Sequence, residues 1–236
     1  QPFTFGINQI SENITIIGPM AAKASDDRVY WMGLEDFYVY DGRIQKLPCT
    51  LRSFVFNDFN LTQKEKTIAA LNSSFSEVWW LYPSSSSQEN DRYVIYNYAQ
   101  NIWYYGELSR TAWLDAGVEP FPRAVANQYV FEHETGYNDD GSPMTNVFIE
   151  SSDFDLGDGE QYAFIKRLIP DLKFLSNSNG GQVNFVLKTR NFPGDSLSTS
   201  STSVITSTTQ QSHVRARGRQ GVLRIESDDD DVNAND

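Results

Sequence analysis

Short runs of aromatic and β-branched residues alternate with polar turn sequences along the chain, and this pattern returns three times. The three copies span residues 29–42, 77–96 and 129–150. Trp31, Trp80 and Phe131 hold matching places in these copies, 49 and 51 positions apart, near the period of about 40 to 50 residues found in propeller blades. Alternation with a period of two predicts half-buried strands. We therefore expect a radial all-β repeat that serves as a scaffold or a binding surface.

The repeat also predicts the domain organisation. We expect an all-β protein, a β-propeller that is incomplete or part of a longer chain, in one repeat domain over residues 1–227. Its meander units are expected at about residues 3–51, 75–106, 124–174 and 182–225. Residues 61–71 predict one short helix, with Asn60 or Thr62 as its N-cap.

Turn sequences indicate how the strands connect. The Asp-Gly pair at residues 41–42 tolerates the positive φ of a tight turn. Residues 138–143 predict a turn that joins 129–134 to 145–151 in a hairpin, and residues 153–159 predict the next turn. These connections continue the rhythm of strand, turn and strand into the third unit.

Two segments depart from the strand pattern. Residues 196–209 are rich in Ser and Thr and predict a flexible insertion with at most a weak edge strand. Residues 228–236 open with an acidic run and predict a disordered acidic tail. The chain begins at Gln1 with residues that resemble the middle of a strand, so we expect a portion of a longer protein.

The charge balance argues against several kinds of partner. The chain has 19 basic and 31 acidic residues, a net charge of −12, which opposes general attraction to phosphate backbones and anionic membranes. No apolar run reaches the roughly 18 residues that a membrane helix needs, so we expect a soluble chain without membrane insertion. Cys49 is the single cysteine, and we interpret it as a small buried hydrophobic residue.

Motifs for catalysis fail in this sequence. The two histidines, His133 and His213, fall in different units. His133-Glu134 begins a zinc-protease pattern, but Tyr137 stands where the second histidine should be. Glu132 and Glu134 share one strand face without a feature that fixes their separation. Because phosphate-binding glycine loops and nucleophile elbows are also missing, we predict no enzyme activity, no catalytic residues and no cofactor, and interpret His133 as a satisfied strand histidine.

A cluster of aspartates resembles a calcium loop at first sight. Asp153, Asp155 and Asp158 offer oxygen ligands close together. In the register of an EF-hand, however, the pattern breaks at Gly157, at Asp158 and at Phe164. We therefore favour a glycine-bearing turn and predict no metal site, with a metal loop of another type as the alternative.

Candidate binding residues are more numerous than catalytic ones. Alternation places Arg215, Arg217 and Arg219 on one face of a strand, and His213 extends the row. Guanidinium groups bind carboxylates and phosphates alike. Since the chain is acidic, we favour the carboxylates of a protein partner over phosphate.

Exposed aromatic residues offer a second kind of binding surface. Residues 103–105, Trp-Tyr-Tyr, could stack on sugars, but aromatic residues that recur in each repeat more often form the packing layer between blades. We favour packing. The glycosylation sequons at Asn13, Asn60 and Asn72 are short enough to arise by chance.

A series of short blocks resembles tail proteins of short-tailed bacteriophages. The resemblance extends over residues 11–227 and depends on many blocks rather than one motif. The blocks lie at residues 29–33, 38–42, 47–49, 77–84, 89–94, 155–159 and 217–220. In that family the protein is a β-propeller of the tail hub or nozzle, below the portal and the adaptor.

The resemblance implies a structural protein of the virion, assembled in the host cytoplasm. It implies a ring of copies, six in related tails, that surrounds the DNA exit channel and anchors fibres or spikes, with DNA passing through transiently. Family members continue past the Arg-Gly-Arg-Gln block at residues 217–220, whereas this chain ends in an acidic run. The family supplies no catalytic residues.

The residues themselves suggest how such a protein works. The turns at the rims of the blades would contact neighbouring subunits or fibres, and Asp155 and Asp158 would belong to an acidic surface that lets DNA slide past. Two alternatives stay open. One is a carbohydrate-binding propeller, either a receptor-binding tail protein or a lectin, which needs an exposed Trp103. The other is a propeller hydrolase, which needs acids that converge in a central pocket.

Overall fold

The computed structural model describes residues 6, 9–25, 27–136, 147–155, 160–174 and 181–227. The chain forms an all-β protein with two compact units, Gln1–Thr135 (unit 1) and Gly136–Asp236 (unit 2). This division differs from the single repeat domain that the sequence predicted. Among the described residues, no helix is long and apolar enough to cross a membrane.

Unit 1 consists of three antiparallel sheets that follow one another along the chain. Their orders are β1-β2-β3-β4, β5-β6-β7-β8 and β11-β10-β9. The strands are β1 (Ala22–Ser25), β2 (Arg28–Met32), β3 (Phe37–Tyr40), β4 (Ile44–Leu47), β5 (Ile68–Asn72), β6 (Glu77–Tyr82), β7 (Arg92–Asn97), β8 (Ile102–Glu107), β9 (Ala112–Leu114), β10 (Arg123–Ala126) and β11 (Tyr129–Glu132). Strands β2, β3 and β4 and strands β6, β7 and β8 are the meanders that the aromatic pattern predicted, and β1 and β5 add a fourth strand to each sheet. Gly42, with φ of 101°, makes the predicted turn between β3 and β4.

The first strands of the three sheets lie side by side in chain order. β1 contacts β5, and β5 contacts β9. The chain just before β1 also bridges to β5, where the Ala69 amide donates to the Met20 carbonyl at 2.7 Å. The sheets of unit 1 are therefore neighbours through their first strands.

Aromatic residues fill the spaces between these sheets. Trp80 is fully buried between the first and second sheets, where its ring lies 4.8 Å from Phe37 and its Nε1 donates to the Ala21 carbonyl at 3.1 Å. On the other side of the second sheet, Trp79 stacks 5.0 Å from both Tyr93 and Trp113. Full burial of one such side chain contributes about 1.5–3 kcal/mol, so alternate residues of β6 bind the sheets together.

The predicted helix at residues 61–71 is wrong in its second half. Leu61–Lys66 forms two short 3-10 turns with a kink at Gln63, and Ile68–Asn72 is strand β5. Asn60 caps the helix as predicted, because its side chain accepts from the Thr62 amide at 3.1 Å. Pairing with β6 overrides local helix propensity in the second half. A short helix that the sequence did not predict, α1 (Arg52–Asn57), precedes it.

Unit 2 is a two-layer arrangement of antiparallel strands. Its strands are β12 (Phe148–Glu150), β13 (Phe154–Asp155), β14 (Ala163–Leu168), β15 (Gln182–Arg190), β16 (Ser198–Thr206), β17 (Ser212–Gly218) and β18 (Gln220–Ser227). One sheet has the order β12-β18-β15-β16, with β13 also paired to β18, and the other consists of β14 and β17. Leu187, Val214 and Ala216 form the core between the two sheets.

This topology corrects two predictions. The strands of residues 182–225 do not form a fourth meander, because β17 pairs with β14 and β18 pairs with β15. The strand at 129–134 does not form a hairpin with 145–151: β11 pairs with β10, and β12 pairs with β18. The partners of β12, β17 and β18 are distant in sequence, and local alternation cannot reveal such pairings. The predicted turn at 138–143 lies outside the described residues.

The Ser/Thr-rich segment is a strand rather than a flexible insertion. β16 spans nine residues and pairs antiparallel with β15 at the edge of the sheet. Ile205 is buried, whereas Val204 beside it is exposed, so the segment has an inner and an outer face. The predicted edge strand is therefore confirmed, and the predicted flexible insertion is wrong.

The predicted acidic tail at residues 228–236 lies outside the described residues.

Candidate interaction surface

The predicted arginine row lies on the exposed face of the two-stranded sheet of unit 2. His213, Arg215 and Arg217 are exposed on β17, and the residues between them are buried. Strand β14 completes this face. Phe164 lies opposite Arg217, Arg167 lies opposite His213, and the register shifts by one residue between the two pairs. We call the exposed residues of this face the basic ribbon; they are Lys166, Arg167, His213, Arg215 and Arg217.

The cations of the basic ribbon have aromatic or amide neighbours rather than acidic ones. The Arg217 guanidinium lies 4.8 Å from the Tyr162 ring centre, and the Lys166 ammonium lies 5.6 Å from that of Phe164. Arg167 donates to Gln211 at 3.3 Å. Within the ranges that the structure describes, Lys166, Arg167, Arg215 and Arg217 take no part in an ion pair. The face can therefore offer its positive charge to a partner.

The positive charge of the basic ribbon is local. Residues 136–236 of unit 2 contain nine Lys or Arg side chains against fifteen Asp or Glu, and the whole chain has a net charge of −12. The basic ribbon is therefore a cationic patch on a unit that is acidic in composition.

Arg219 leaves the row that alternation predicted for it. It follows buried Gly218 at the end of β17, its amide donates to the Arg190 carbonyl at 3.0 Å, and its guanidinium lies 5.9 Å from the Phe192 ring centre. A Cβ on Gly218 would lie 2.7 Å from the Cβ of Thr189, so only glycine fits this close approach. The chain turns there from one sheet into the other.

The candidate acidic residues lie near that same turn. Asp155 is exposed on β13, opposite Gln220, and therefore lies near Arg219 rather than beside the basic ribbon. Asp153 forms an ion pair with Arg190. This ion pair competes with any binding of a metal ion by the Asp153 carboxylate. Asp158 lies outside the described residues. Among the residues that are described, no three His, Cys, Asp or Glu side chains form a group that could hold a metal ion.

His133 and the neighbouring acids have structural partners. The centre of the His133 ring lies 4.7 Å from that of Trp113, and its Nε2 accepts from Arg110 Nε at 3.0 Å, which confirms the interpretation of a satisfied histidine. Glu134 accepts from Asn72 at 3.0 Å, and burial raises the pKa of its carboxyl. Glu132 pairs instead with Arg123 at 3.2 Å. The two glutamates thus have separate partners and do not converge as a glycosidase pair.

Two of the three aromatic residues at positions 103–105 pack inside unit 1, and the third is exposed. Trp103 packs 4.8 Å from Phe37 and donates from Nε1 to the Pro48 carbonyl at 2.8 Å. Tyr104 donates to Glu77 at 2.6 Å, and burial together with this hydrogen bond raises the pKa of Tyr104 to about 12. Packing is therefore confirmed for these two residues. Tyr105 is exposed.

Three other sequence features are structural. Cys49 is half-buried, and burial raises the pKa of its thiol to about 11, so the group is a weak nucleophile at neutral pH. Asn60 and Asn72, from two of the sequons, are buried. Their side chains take part in hydrogen bonds inside unit 1.

An apolar face in unit 1 was missed by sequence reasoning. On the third sheet, Leu114, Val125 and Val130 share the face opposite Trp113, and all three are exposed. Val130 is 69% exposed. We call these three residues the open face. The signal was present, because β11 carries apolar residues on both of its faces, which is typical of a strand covered on two sides.

Comparison with known proteins leaves the function to be argued from the geometry of the chain itself. No protein-family model matches the chain, and a search of curated proteins finds no significant match. The resemblance to phage tail proteins therefore depends on the sequence blocks alone.

Proposed function

We propose that the chain is a structural protein in the tail of a short-tailed bacteriophage. In this role it belongs to the hub or nozzle, forms a ring of copies around the DNA exit channel and anchors fibres or spikes. The observation that carries the proposal is the open face of unit 1, where Leu114, Val125 and Val130 present an apolar surface to solvent. Val125 and Val130 are cross-strand neighbours on this face, beside the ion pair of Arg123 with Glu132, and exposed apolar residues with a charged rim are typical of protein–protein contacts.

The order of the sheets in unit 1 supports a propeller-type arrangement. Three antiparallel sheets follow in chain order, their first strands touch, and aromatic cores separate them. Blades of a propeller are related in the same way. We propose that unit 1 is an arc of such blades, which ends at the open face because no further sheet of unit 1 follows among the described residues.

The two ends of this arc suggest how copies associate. The outer face of the first sheet carries Trp31 stacked 5.4 Å from Tyr38, both half-exposed. The open face lies on the third sheet and is aliphatic, whereas the surface on the first sheet is aromatic. We propose that the open face of one copy packs on the Trp31 face of the next. A head-to-tail contact between unlike surfaces generates a ring when its rotation closes.

The basic ribbon provides a second contact in this proposal. Arg215 and Arg217 are exposed on a face that has no described ion pairs, and guanidinium groups bind carboxylates with two parallel hydrogen bonds. We propose that the ribbon docks on an acidic surface of a neighbouring tail protein or of another copy.

Labelling of intact particles tests the assignment to a phage tail. Gold-labelled antibodies against the purified chain, applied to phage particles from the source of the sequence, should mark the tail end of the particle below the capsid vertex. Antibodies preincubated with an excess of the free chain should no longer label the particles. Gold that is absent from the particles, or spread over the capsid surface, would contradict a role in the tail.

A further inference from the structure

A surface depression in unit 1 combines an aromatic wall with a polar wall. It lies where the C-terminal end of α1 meets β7 and β8, and its volume is about 440 Å³, within the range of about 300–1,000 Å³ typical of small-molecule sites. The residues that line it include Phe54, Asn57, Asp58, Arg92, Tyr105 and Glu107.

The aromatic wall consists of two exposed rings in contact with each other. The ring centres of Phe54 and Tyr105 lie 4.3 Å apart, and the side chains are 46% and 40% exposed. Trp103, two residues before Tyr105 on the same face of β8, is packed into the core by contrast. The pair therefore offers apolar surface and aromatic C–H and π groups to a ligand, in addition to supporting the fold.

The polar wall holds donors and acceptors in fixed positions. The Asp58 carboxylate accepts from Ser85 Oγ at 2.8 Å and lies 3.5 Å from Arg92 Nε. Arg92 also forms an ion pair with Glu107, and the Asn57 amide is exposed beside them. Carboxylate oxygens with spare lone pairs lie next to a guanidinium and an amide that can donate. Sugar hydroxyl groups, which both donate and accept, fit such a mixed set.

The charge of the depression decides between classes of ligand. Two carboxylates and one guanidinium leave one net negative charge, which disfavours phosphates and acidic sugars. A cationic side chain would be attracted only weakly, because Arg92 already neutralises the carboxylates in part. It would also be repelled by the positive charge of Arg92. A neutral ligand avoids both penalties, and the apolar face of a pyranose ring suits the aromatic wall.

From this geometry we propose that the depression binds a neutral saccharide of one or two rings. The sugar ring stacks on Phe54 and Tyr105, and its hydroxyl groups exchange hydrogen bonds with Asp58, Arg92 and Glu107. The proposal does not depend on a role in a phage tail, because it concerns residues of one chain and needs no assembly.

Saturation-transfer difference NMR on the full chain tests this site. The probes are a panel of neutral pyranosides and disaccharides, namely methyl glucoside, methyl galactoside, methyl mannoside, N-acetylglucosamine, maltose and cellobiose. We expect saturation transfer to the ring protons of at least one probe, with millimolar affinity. The variants Phe54→Ala and Tyr105→Ala should each weaken that binding at least about tenfold, as expected when one aromatic contact is lost.

Two further variants provide a matched control and a test of the polar wall. Phe75→Ala removes another exposed aromatic ring, outside the depression, and should bind as the wild type does. Glu107→Gln keeps both rings but removes the carboxylate that pairs with Arg92, and should also weaken binding. A trilysine peptide, tested in the same way, represents a cationic ligand. The proposal is overturned if the folded wild type gives no transfer to any sugar, if the Phe54 and Tyr105 variants bind unchanged, or if only the trilysine peptide binds.

Discussion

Single polar side chains determine much of the local geometry in unit 1. Buried Glu77 accepts hydrogen bonds from Trp79 Nε1 at 2.8 Å and from the Tyr104 hydroxyl at 2.6 Å. Such bonds to a charged acceptor contribute about 1.5–3 kcal/mol. The sequence identified these aromatic residues as packing residues, but it could not show which acid satisfies them, because Tyr104 lies two strands away from Glu77.

Asp36 illustrates how one carboxylate joins two elements. It accepts from Lys46 of β4 at 2.6 Å and from Arg52 of α1 at 2.7 Å. Burial alone would raise the pKa of Asp36, but these two cationic donors outweigh it and hold the pKa below its usual value. The carboxylate therefore stabilises the folded state in its ionised form.

We predict that Asp36→Asn destabilises the protein in a pH-dependent way. A lowered folded pKa gives stability that is complete above the unfolded pKa of about 3.9 and is lost as the pH falls through the folded pKa. Urea unfolding should show a loss of about 1 kcal/mol at neutral pH, which shrinks in strongly acidic buffer. Glu35→Gln, which alters an exposed acid 3.8 Å from Arg52, should change little. An Asp36→Asn effect that is equal at both pH values would contradict this account.

At the scale of elements, periodicity predicted strands better than it predicted their partners. The sequence marks β2, β3, β6 and β7 as runs of aromatic and β-branched residues, and each of these strands pairs with a neighbour along the chain. The strands of unit 2 also alternate, but β12 pairs with β18 across more than seventy intervening residues. Partners this distant leave no local signal, which explains why a fourth meander was predicted there.

The candidate surfaces show the same limit. Alternation placed Arg215 and Arg217 together correctly, because both lie on one strand. It could not add Lys166 and Arg167, which belong to β14 and reach the face only through pairing with β17. The sequence pattern also could not predict the contact between Phe54 and Tyr105, because Phe54 lies in α1 and Tyr105 lies in β8.

The Ser/Thr-rich strand β16 gives a test of the sheet in unit 2. Ile205→Ala should destabilise the protein by about 2–5 kcal/mol, because Ile205 is 1% exposed and truncation leaves a cavity. Val204→Ala should cost less than about 0.5 kcal/mol, because that side chain faces solvent. Chemical denaturation of both variants measures the difference. Equal, small effects would mean that the segment is a flexible insertion after all.

The basic ribbon should bind carboxylates through its arginines. Fluorescence anisotropy with a labelled oligoglutamate should report binding that weakens with added salt and falls at least about tenfold in the double variant Arg215→Ala with Arg217→Ala. The control double variant, Arg43→Ala with Lys173→Ala, removes two exposed charges elsewhere and should keep most of the affinity. Tighter binding of an oligothymidylate of matched length would contradict the preference for carboxylates.

At the scale of the whole molecule, the proposed role is that of a building block. Unit 1 has exposed aromatic or apolar side chains on its first and third sheets, and unit 2 has an exposed basic face. In the described parts of both units, no three His, Cys, Asp or Glu side chains form a group that could hold a metal ion. The remaining central claim is that copies assemble through the open face.

The mass of the protein in solution tests that claim most directly. At micromolar concentration, light scattering or native mass spectrometry should find a closed assembly, about six copies of the 26.8 kDa chain. Val130→Asp places a charge on the open face and should release folded monomers, whereas Val118→Asp, at a fully exposed residue outside the strands, should assemble normally. A wild-type chain that stays monomeric, or a Val130→Asp variant with unchanged mass, would contradict the account.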